Sequence, residues 1–522
     1  MTASTHPARF KVFPNLYKDS VTLMQLGAKL RERDGITQAS CLMATPANLA
    51  QLGDADLQID AEFSPSDLLV VVRGDAAACE QAIEAAQSML ESADSSGGDG
   101  ESQFVMPLTS LALAVEQSPD ADLALISVPG DYAAAEAMKA LSLGLHVMLF
   151  SDNVSIADEK RIKELARDKS LLVMGPDCGT AIVNGVPLAF ANVVRRGDIG
   201  LVAASGTGLQ EVTCRIHNLG GGVSQALGTG GRDLKEDIGG ITMLQGLRML
   251  ADDAPTRVIV LISKPPAPAI ARQVLAAAAA AGKPVVIHFL GAKPDEITRA
   301  GLHAAASLHH AADMAVALAQ GGKPSLAAPT PNNADLTAIE KLGAAMAPSQ
   351  RAVRALFTGG TFCYEAQLAF IAQGLACSSN APAHGAAAFD GRFEGHVMLD
   401  LGDDDYTRGR PHPMIDPSLR DDAVRAQGED PSTAVILFDV VLGYGAHSDP
   451  AQGLARALAA AAAAARAKGR SLALIGHVCG TDADPQGKAA QVALLRAAGA
   501  WVAGSNVEAA LLAARLAARL AR

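Results

Sequence analysis

Positive charge, paired cysteines and long apolar runs are all scarce in this sequence, and each shortage removes a class of function. The 522 residues carry 43 Lys and Arg against 55 Asp and Glu, a formal net charge of -12. A chain whose main partner is a phosphate backbone carries clustered Lys and Arg instead, so nucleic acid is excluded as the principal ligand. The 7 cysteines are odd in number and widely spread, with no Cys-x-x-Cys pair to hold zinc or cycle a disulfide. They read as reduced thiols, and no metal site is expected. Met1–Phe10 lacks an apolar run with a cleavage site, and stretches such as Ala276–Ala281 are too short to span a bilayer. A cytoplasmic location with no membrane partner is the expectation. With a single Trp, 49 Gly, 49% hydrophobic and only 19% charged residues, the composition is that of buried sheets sealed by Ala-rich helices.

A chain of this length exceeds one hydrophobic core, so several domains are expected. Residues 1–91 alternate a strand near Phe10–Val12, a helix over Ser20–Arg33, strands near Ala39–Ala44 and Leu68–Arg73, and a helix over Ala76–Glu91. That order predicts a small α+β N-terminal domain. Residues 92–102 lack a large apolar anchor and read as a flexible linker. Over 103–196, apolar runs at Leu123–Val128, His146–Phe150 and Leu171–Met174 alternate with helical patterns, the order of a Rossmann-like parallel sheet. A second such unit covers 197–320, with strands at Ile199–Ala203, Val258–Ile262 and Val285–Phe289. Gly, Pro, Ala and Asn crowd the stretch after Gly321, so 321–350 reads as the next linker. The last unit, 351–522, has strands at Ala352–Phe357, Val435–Val441 and Leu472–Ile475 and reads as doubly wound. The fold class is α/β.

The strongest local signal is Ile199-Gly-Leu-Val-Ala-Ala-Ser-Gly-Thr-Gly-Leu-Gln-Glu211, an apolar strand passing through a small-residue turn into a helix. Backbone N–H groups over Ser205, Gly206, Thr207 and Gly208 can converge there on an anion, aided by the positive end of the helix dipole. A plain N-cap at Ser205 or Thr207 reads the same. A second copy, Ala355-Leu-Phe-Thr-Gly-Gly-Thr-Phe-Cys-Tyr-Glu-Ala366, favours the anion: Gly359-Gly360-Thr361 aligns with Ser205-Gly206-Thr207, and Glu365 with Glu211. The same cradle one domain apart is what two related domains facing a shared site would carry.

These residues resemble succinyl-CoA synthetase. In that family the α subunit carries a strand, Ser-Gly-Thr and a helical Glu, the β subunit's C-terminal domain supplies a comparable helix, and both helices point at one phosphohistidine. The likeness extends through Gly175-Pro-Asp-Cys178 and Gly228-Thr-Gly-Gly-Arg-Asp233, which adds Gly230 and Gly231 to the phosphate-binding candidates. The closer resemblance is to the FdrA family, which joins the α-like part and the β C-terminal part in one chain behind a separate N-terminal domain. It rests on Lys18-Asp-Ser-Val-Thr-Leu-Met24, the Ser205–Glu211 motif, His412-Pro-Met-Ile-Asp416 and Cys479-Gly-Thr-Asp-Ala-Asp-Pro-Gln486, and covers nearly the whole chain. It implies two flavodoxin-like, succinyl-CoA synthetase-type domains after the Rossmann-like one.

Three departures shape the functional expectation. Gln103–Ala114 holds no glycine where the family's CoA-binding domain has a glycine-rich loop. Ala300-Gly-Leu-His-Ala-Ala305 sets His303 one residue away from the phosphohistidine position, and no ATP-grasp part is visible. Secondary candidates lie on loops. His412, Asp416 and Arg420 share a segment stiffened by Pro411, Pro413 and Pro417, which either fixes polar groups near a substrate or is only a rigid connector. The preceding Asp400–Asp405 run reads as a solvated surface or a metal site, with the surface favoured. Asp439 ends one strand and Gly480 and Thr481 follow another, where parallel sheets collect ligands, although a strand-end carboxylate can simply cap a helix.

Taken with these departures, the FdrA resemblance implies a subunit of a carbamoyl-transferring enzyme of allantoin catabolism. Oxalurate and phosphate would give oxamate and carbamoyl phosphate with no cofactor, using Glu211, Glu365, His412 and Asp439 as catalytic groups and partner subunits to complete the site. The alternative is an acyl-CoA synthetase or acyl-CoA transfer enzyme, for which CoA is the cofactor. A third reading is a non-catalytic scaffold or regulator of the same fold.

Overall fold

The computed structural model describes residues 7–95 except 55, 56, 58, 60 and 62, residue 108, and residues 110–521 except 329 and 408–410. It divides into two compact units, one formed by Met1–Ala114 with Asp403–Asp416, the other by Val115–Gly402 with Pro417–Arg522.

In the first unit, strands Arg9–Phe13, Leu68–Gly74 and Ile36–Met43 pair antiparallel in that spatial order. Alternation along the middle strand sorts its side chains between two faces. Leu68, Val70 and Val72 pack with Leu23, Leu26 and Leu30 from the helix Ser20–Arg31 and with Ala82, Ala86 and Leu90 from the helix Ala76–Ser95. Leu69 and Val71 join Leu52 and Leu57 on the other face. The helix Pro46–Asp54, which supplies Leu52, was not expected from the sequence. Of the expected linker over 92–102, the first part continues the helix to Ser95 and the remainder lies outside the described residues.

Among the described residues the second unit holds three sheets. Leu123–Ile126, His146–Leu149 and Val173–Met174 form a small parallel one. A seven-stranded sheet follows in the order His303–Ala304, Val285–Phe289, Val258–Ser263, Arg196–Ala204, Val223–Gly228, Thr180–Val183, Val186–Ala189. Its first five strands run parallel and its last two form an antiparallel hairpin, which the sequence reading had grouped with 103–196. The other seven-stranded sheet is parallel throughout, in the order Ala387–Ala388, Cys377–Ser379, His396–Asp400, Ala352–Phe357, Thr433–Val441, Ala473–Cys479, Trp501–Ala503. Val258–Ser263 and Thr433–Val441 are buried at every residue, as parallel strands covered by helices on both faces must be.

The connector 321–350 is not structureless. It contains the helix Asn333–Ala344, started by Asn332 Oδ1 accepting from Asp335 N at 2.9 Å. Gly343 on that helix lies so near the helix Asn506–Leu520 that a Cβ there would stand 2.6 Å from Leu516 Cδ1. Among the described residues no helix is long and apolar enough to cross a membrane.

Candidate functional site

In both seven-stranded sheets a central strand runs straight into a helix. Arg196–Ala204 ends at Ser205, which is extended and caps the helix Gly206–Asn218 by accepting from Gly208 N at 3.0 Å. A Cβ on Gly208 would stand 2.4 Å from that hydroxyl, so glycine is what admits the cap. Ala352–Phe357 passes through Thr358 and Gly359 into the helix Gly360–Ala372, whose N-cap Gly359 offers no side chain.

These two helix N-termini meet. Ser205 Oγ and Thr361 Oγ1 lie 2.6 Å apart, and a Cβ on Gly359 would come 2.9 Å from Thr207 Cγ2. The amides of Gly206 and Thr207 on one side, and of Gly360, Thr361 and Phe362 on the other, have no acceptor among the described residues. They are the first-turn donors that a helix cannot satisfy internally. Gly206 is exposed and Gly360 half-buried, so the junction opens to solvent. Two positive helix ends joined by a hydroxyl contact can hold a phosphate-like dianion or oppose charge developing on a carbonyl oxygen.

The second turn is braced from behind. Asp439, fully buried on Thr433–Val441, accepts from Thr358 N at 2.7 Å, Thr358 Oγ1 at 2.8 Å and Gly359 N at 2.8 Å. Burial pushes its carboxyl pKa up, against the pull of Arg420 and these donors. Arg420, equally buried, donates to Thr358 Oγ1 at 2.9 Å and to Asp439 O at 2.8 Å. The Asp439 carboxylate bonds the turn itself and Arg420 ties the turn to the strand behind it, which makes them supports for the second cradle.

Asp400 departs from the solvated-surface expectation. Asp404 and Asp405 are exposed, but Asp400 is 6% exposed because it ends the strand His396–Asp400 inside the sheet. Asn380 clamps its backbone from both sides at 2.9 Å, its Oδ1 accepts from Gly402 N at 3.0 Å, and a Cβ on Gly360 would stand only 2.3 Å from its Oδ2.

Glu211 and Glu365 occupy the same position on their two helices, and each is buried against the other half of the unit. Glu211 Oε2 lies 2.8 Å from His477 Nε2 on the strand Ala473–Cys479. Burial alone would raise the Glu211 pKa, but the His477 ring and Lys488 hold it below its ordinary value. Glu365 accepts from Leu308 N at 3.1 Å and from Asn506 Nδ2 at 2.8 Å, and burial pushes its pKa up despite those donors. The two acids pin the cradle helices at fixed positions. His477 escaped the sequence reading, although His288-Phe-Leu-Gly291 and His477-Val-Cys-Gly480 end corresponding strands. Their Nδ1 atoms lie 3.0 Å and 3.4 Å from the carbonyls of Ala305 and Ala503.

The remaining candidates take other places. Gly230 has φ +80°, and a Cβ there would stand 2.2 Å from Pro176 O, so it packs against Gly175-Pro-Asp-Cys178, while Gly231 has open space around it. Thr481 Oγ1 donates to Val193 O at 2.8 Å, and Asn218 Nδ2 donates to Gly480 O at 3.2 Å, so both residues tie the two halves of the unit together. His412 and Asp416 belong to the first unit, where Asp416 pairs with Arg31. His303 sits half-buried in a two-residue edge strand, its pKa lowered by burial.

Comparison with known proteins gives the family. Residues 356–516 match the CoA-ligase model, residues 194–291 the CoA binding domain, and residues 6–105 the AllF heavy metal-associated domain. The uncharacterized protein YahF of Escherichia coli K12 is 43% identical over 505 residues, 96% of this chain and 96% of that one. Subunit alpha 2 of the ADP-forming succinate–CoA ligase of Archaeoglobus fulgidus is 25% identical over 172 residues, 32% of this chain and 58% of the relative. The dinucleotide-forming acetyl-coenzyme A synthetase 1 of Ca. Korarchaeum cryptofilum, solved with phosphate and ADP, covers 76% of this chain and 83% of its own at 15% identity and a TM-score of 0.33.

These matches overturn the expectation that no cofactor is needed. The glycine-poor stretch 103–114 had argued against CoA, yet the CoA-binding match falls on the sheet that carries the first cradle and the CoA-ligase match on the sheet that carries the second. CoA is the expected cofactor. The junction fits its reacting end: main-chain amides without acceptors and two hydroxyls suit an acyl-phosphate or thioester oxygen. A metal does not fit the heavy metal-associated domain here, since Cys41 and Cys79 are buried in the core and no cluster of three ligand-type side chains occurs among the described residues. With 43% identity sustained over 96% of both chains, and CoA-ligase and CoA-binding matches on the two cradle sheets, the chain belongs to the FdrA/AllF-like family of CoA-ligase-domain proteins related to succinyl-CoA synthetase α subunits.

Proposed function

We propose that this chain is the acid–thiol ligase-type component of an enzyme that moves an acyl group between phosphate and CoA. The Ser205–Thr361 contact carries the reading, because it brings two helix N-termini to one point. The amides of Gly206, Thr207, Gly360, Thr361 and Phe362 bind the phosphate oxygens and stabilise charge as it develops. Removing one such donor typically costs about 10²–10³ in rate. Ser205 and Thr361 orient the bound group, and the Glu211–His477 and Glu365–Leu308 contacts keep the two helices from drifting apart. CoA supplies the thiol that takes the acyl group. Relatives named as succinate–CoA and malate–CoA ligases favour a small carboxylic acid as its source.

Thermal unfolding of the purified chain against phosphate and CoA, added separately, tests this. Each is expected to raise the midpoint, by about 2.7 kcal/mol of added stability at a hundredfold excess over Kd. No effect of CoA at millimolar concentration sinks the reading. A second reading, which follows from the FdrA resemblance, has the same amides hold carbamoyl phosphate. Release of carbamoyl phosphate from oxalurate and phosphate, with partner subunits and CoA present, would favour it.

A further inference from the structure

We propose that Lys264 is the cation of this site, its ammonium binding the phosphate that the two helix ends hold; the proposal rests on the acyl-transfer reading. Lys264 directly follows the strand Val258–Ser263. In the parallel register Ser263 lies opposite Ala204, so Lys264 leaves its strand beside Ser205, the N-cap of the first cradle helix, with the two strands about 4.8 Å apart. From there the side chain crosses to the second cradle. Its Nζ stands 5.8 Å from the ring centroid of Tyr364, one turn along the helix Gly360–Ala372, whose side chains lean back toward the N-terminus. One lysine is placed by the first cradle and reaches the second.

The backbone that carries this side chain is fixed. Ser263 Oγ donates to Lys264 O at 2.5 Å, Leu290 N donates to Ser263 O at 2.9 Å, and Pro265 and Pro266 stiffen the next two positions. The ammonium itself is left open: Lys264 is exposed, and Nζ has neither a hydrogen-bond acceptor nor an ion-pair partner among the described residues. Its charge is felt at Cys363 on the second cradle helix, where burial pushes the thiol up and Lys264 pulls against it. An ammonium beside the positive end of a helix is repelled by it, and the face of Tyr364 offsets only part of that. An anion seated between them turns the repulsion into attraction on both sides, through charge-assisted bonds from the ammonium and from the amides of Gly360, Thr361 and Phe362.

The test is calorimetric titration of the full chain with inorganic phosphate and, separately, with CoA, for wild type, Lys264→Gln and Lys264→Arg. Lys264 is exposed, so both variants are expected to fold. Lys264→Gln is expected to weaken phosphate binding at least about tenfold, the loss of one bond to a charged group, and Lys264→Arg to hold it within about threefold of wild type. CoA affinity is expected to keep its wild-type value in both, because the ligand of Lys264 is the transferred phosphate and not a phosphate of the cofactor. Phosphate binding unchanged in Lys264→Gln, or lost equally in Lys264→Arg, overturns the proposal and leaves the acyl-transfer reading in place. A loss confined to CoA overturns it in the same way. Failure of the wild-type chain to bind phosphate at all overturns the shared anion site itself, and the role of Lys264 with it.

Discussion

The two cradles read alike in sequence and are held in different ways. The first is self-sufficient: Ser205 caps its own helix through Gly208 N, and Gly206 meets nothing closer than Thr180 Oγ1, 3.6 Å from where its Cβ would be. The second has a bare glycine N-cap and depends on side chains from elements distant in the chain. Asp439 and Arg420 secure the turn from behind, and Asp400 lies against its first helical residue. A local cap survives changes elsewhere, whereas a braced turn fails with its brace. The second cradle is therefore the fragile half, and with the N3 amide at Phe362 uncapped it is also the half with more donors to offer an anion.

Mutations can break that comparison. Asp439→Ala should have the largest effect, about 3–5 kcal/mol in denaturant unfolding, because it strips three donors of their acceptor and leaves the Arg420 guanidinium buried beside them. A loss below 1 kcal/mol would show that the turn stands without its brace. Gly360→Ala comes next, about 1–3 kcal/mol, since the new methyl must displace Asp400 Oδ2. Ser205→Ala should cost about 1 kcal/mol, the value of one N-cap. Gly206→Ala, the mirror of the glycine change, should stay within about 0.5 kcal/mol. If the two glycine variants are equally stable, the asymmetry is wrong.

The acids sharpen the comparison through pH. Glu211 has its pKa held below the ordinary 4.5, so the stability it contributes is present above that pH and drains away as the pH falls through its lower folded value. Glu365 has its pKa raised, so its contribution is present below the ordinary value and is lost as the pH rises through the higher folded one. Glu211→Gln should remove part of the acid-side loss of stability and, because the Glu211 charge is among the causes that raise Glu365, shift that second limb towards lower pH, as read from thermal midpoints across the acid-to-neutral range.

Much of this was legible locally. Alternation of apolar runs with Ala-rich helices predicts parallel sheets, and a strand passing through Gly-Thr into a helix predicts each cradle, because strand, turn and cap chemistry depend on neighbours a few residues away. The helix Asn333–Ala344 was hidden because its buried face is as small as Ile339 and Gly343, too weak a pattern to stand out from the Gly- and Pro-rich residues before it. The run Asp400–Asp405 misled for a related reason. Charge alone cannot say which member of a run still belongs to a strand. That Ser205 touches Thr361, 156 residues on, that Glu211 meets His477, and that Asp400 reaches Gly360 are products of how two sheets present their strand ends to each other. The sequence by itself determined that two strands pass through a small-residue turn into a helix. Only the tertiary structure decided that the two turns meet and which side chains brace them, because those distances are set by helix and sheet packing and not by any spacing along the chain.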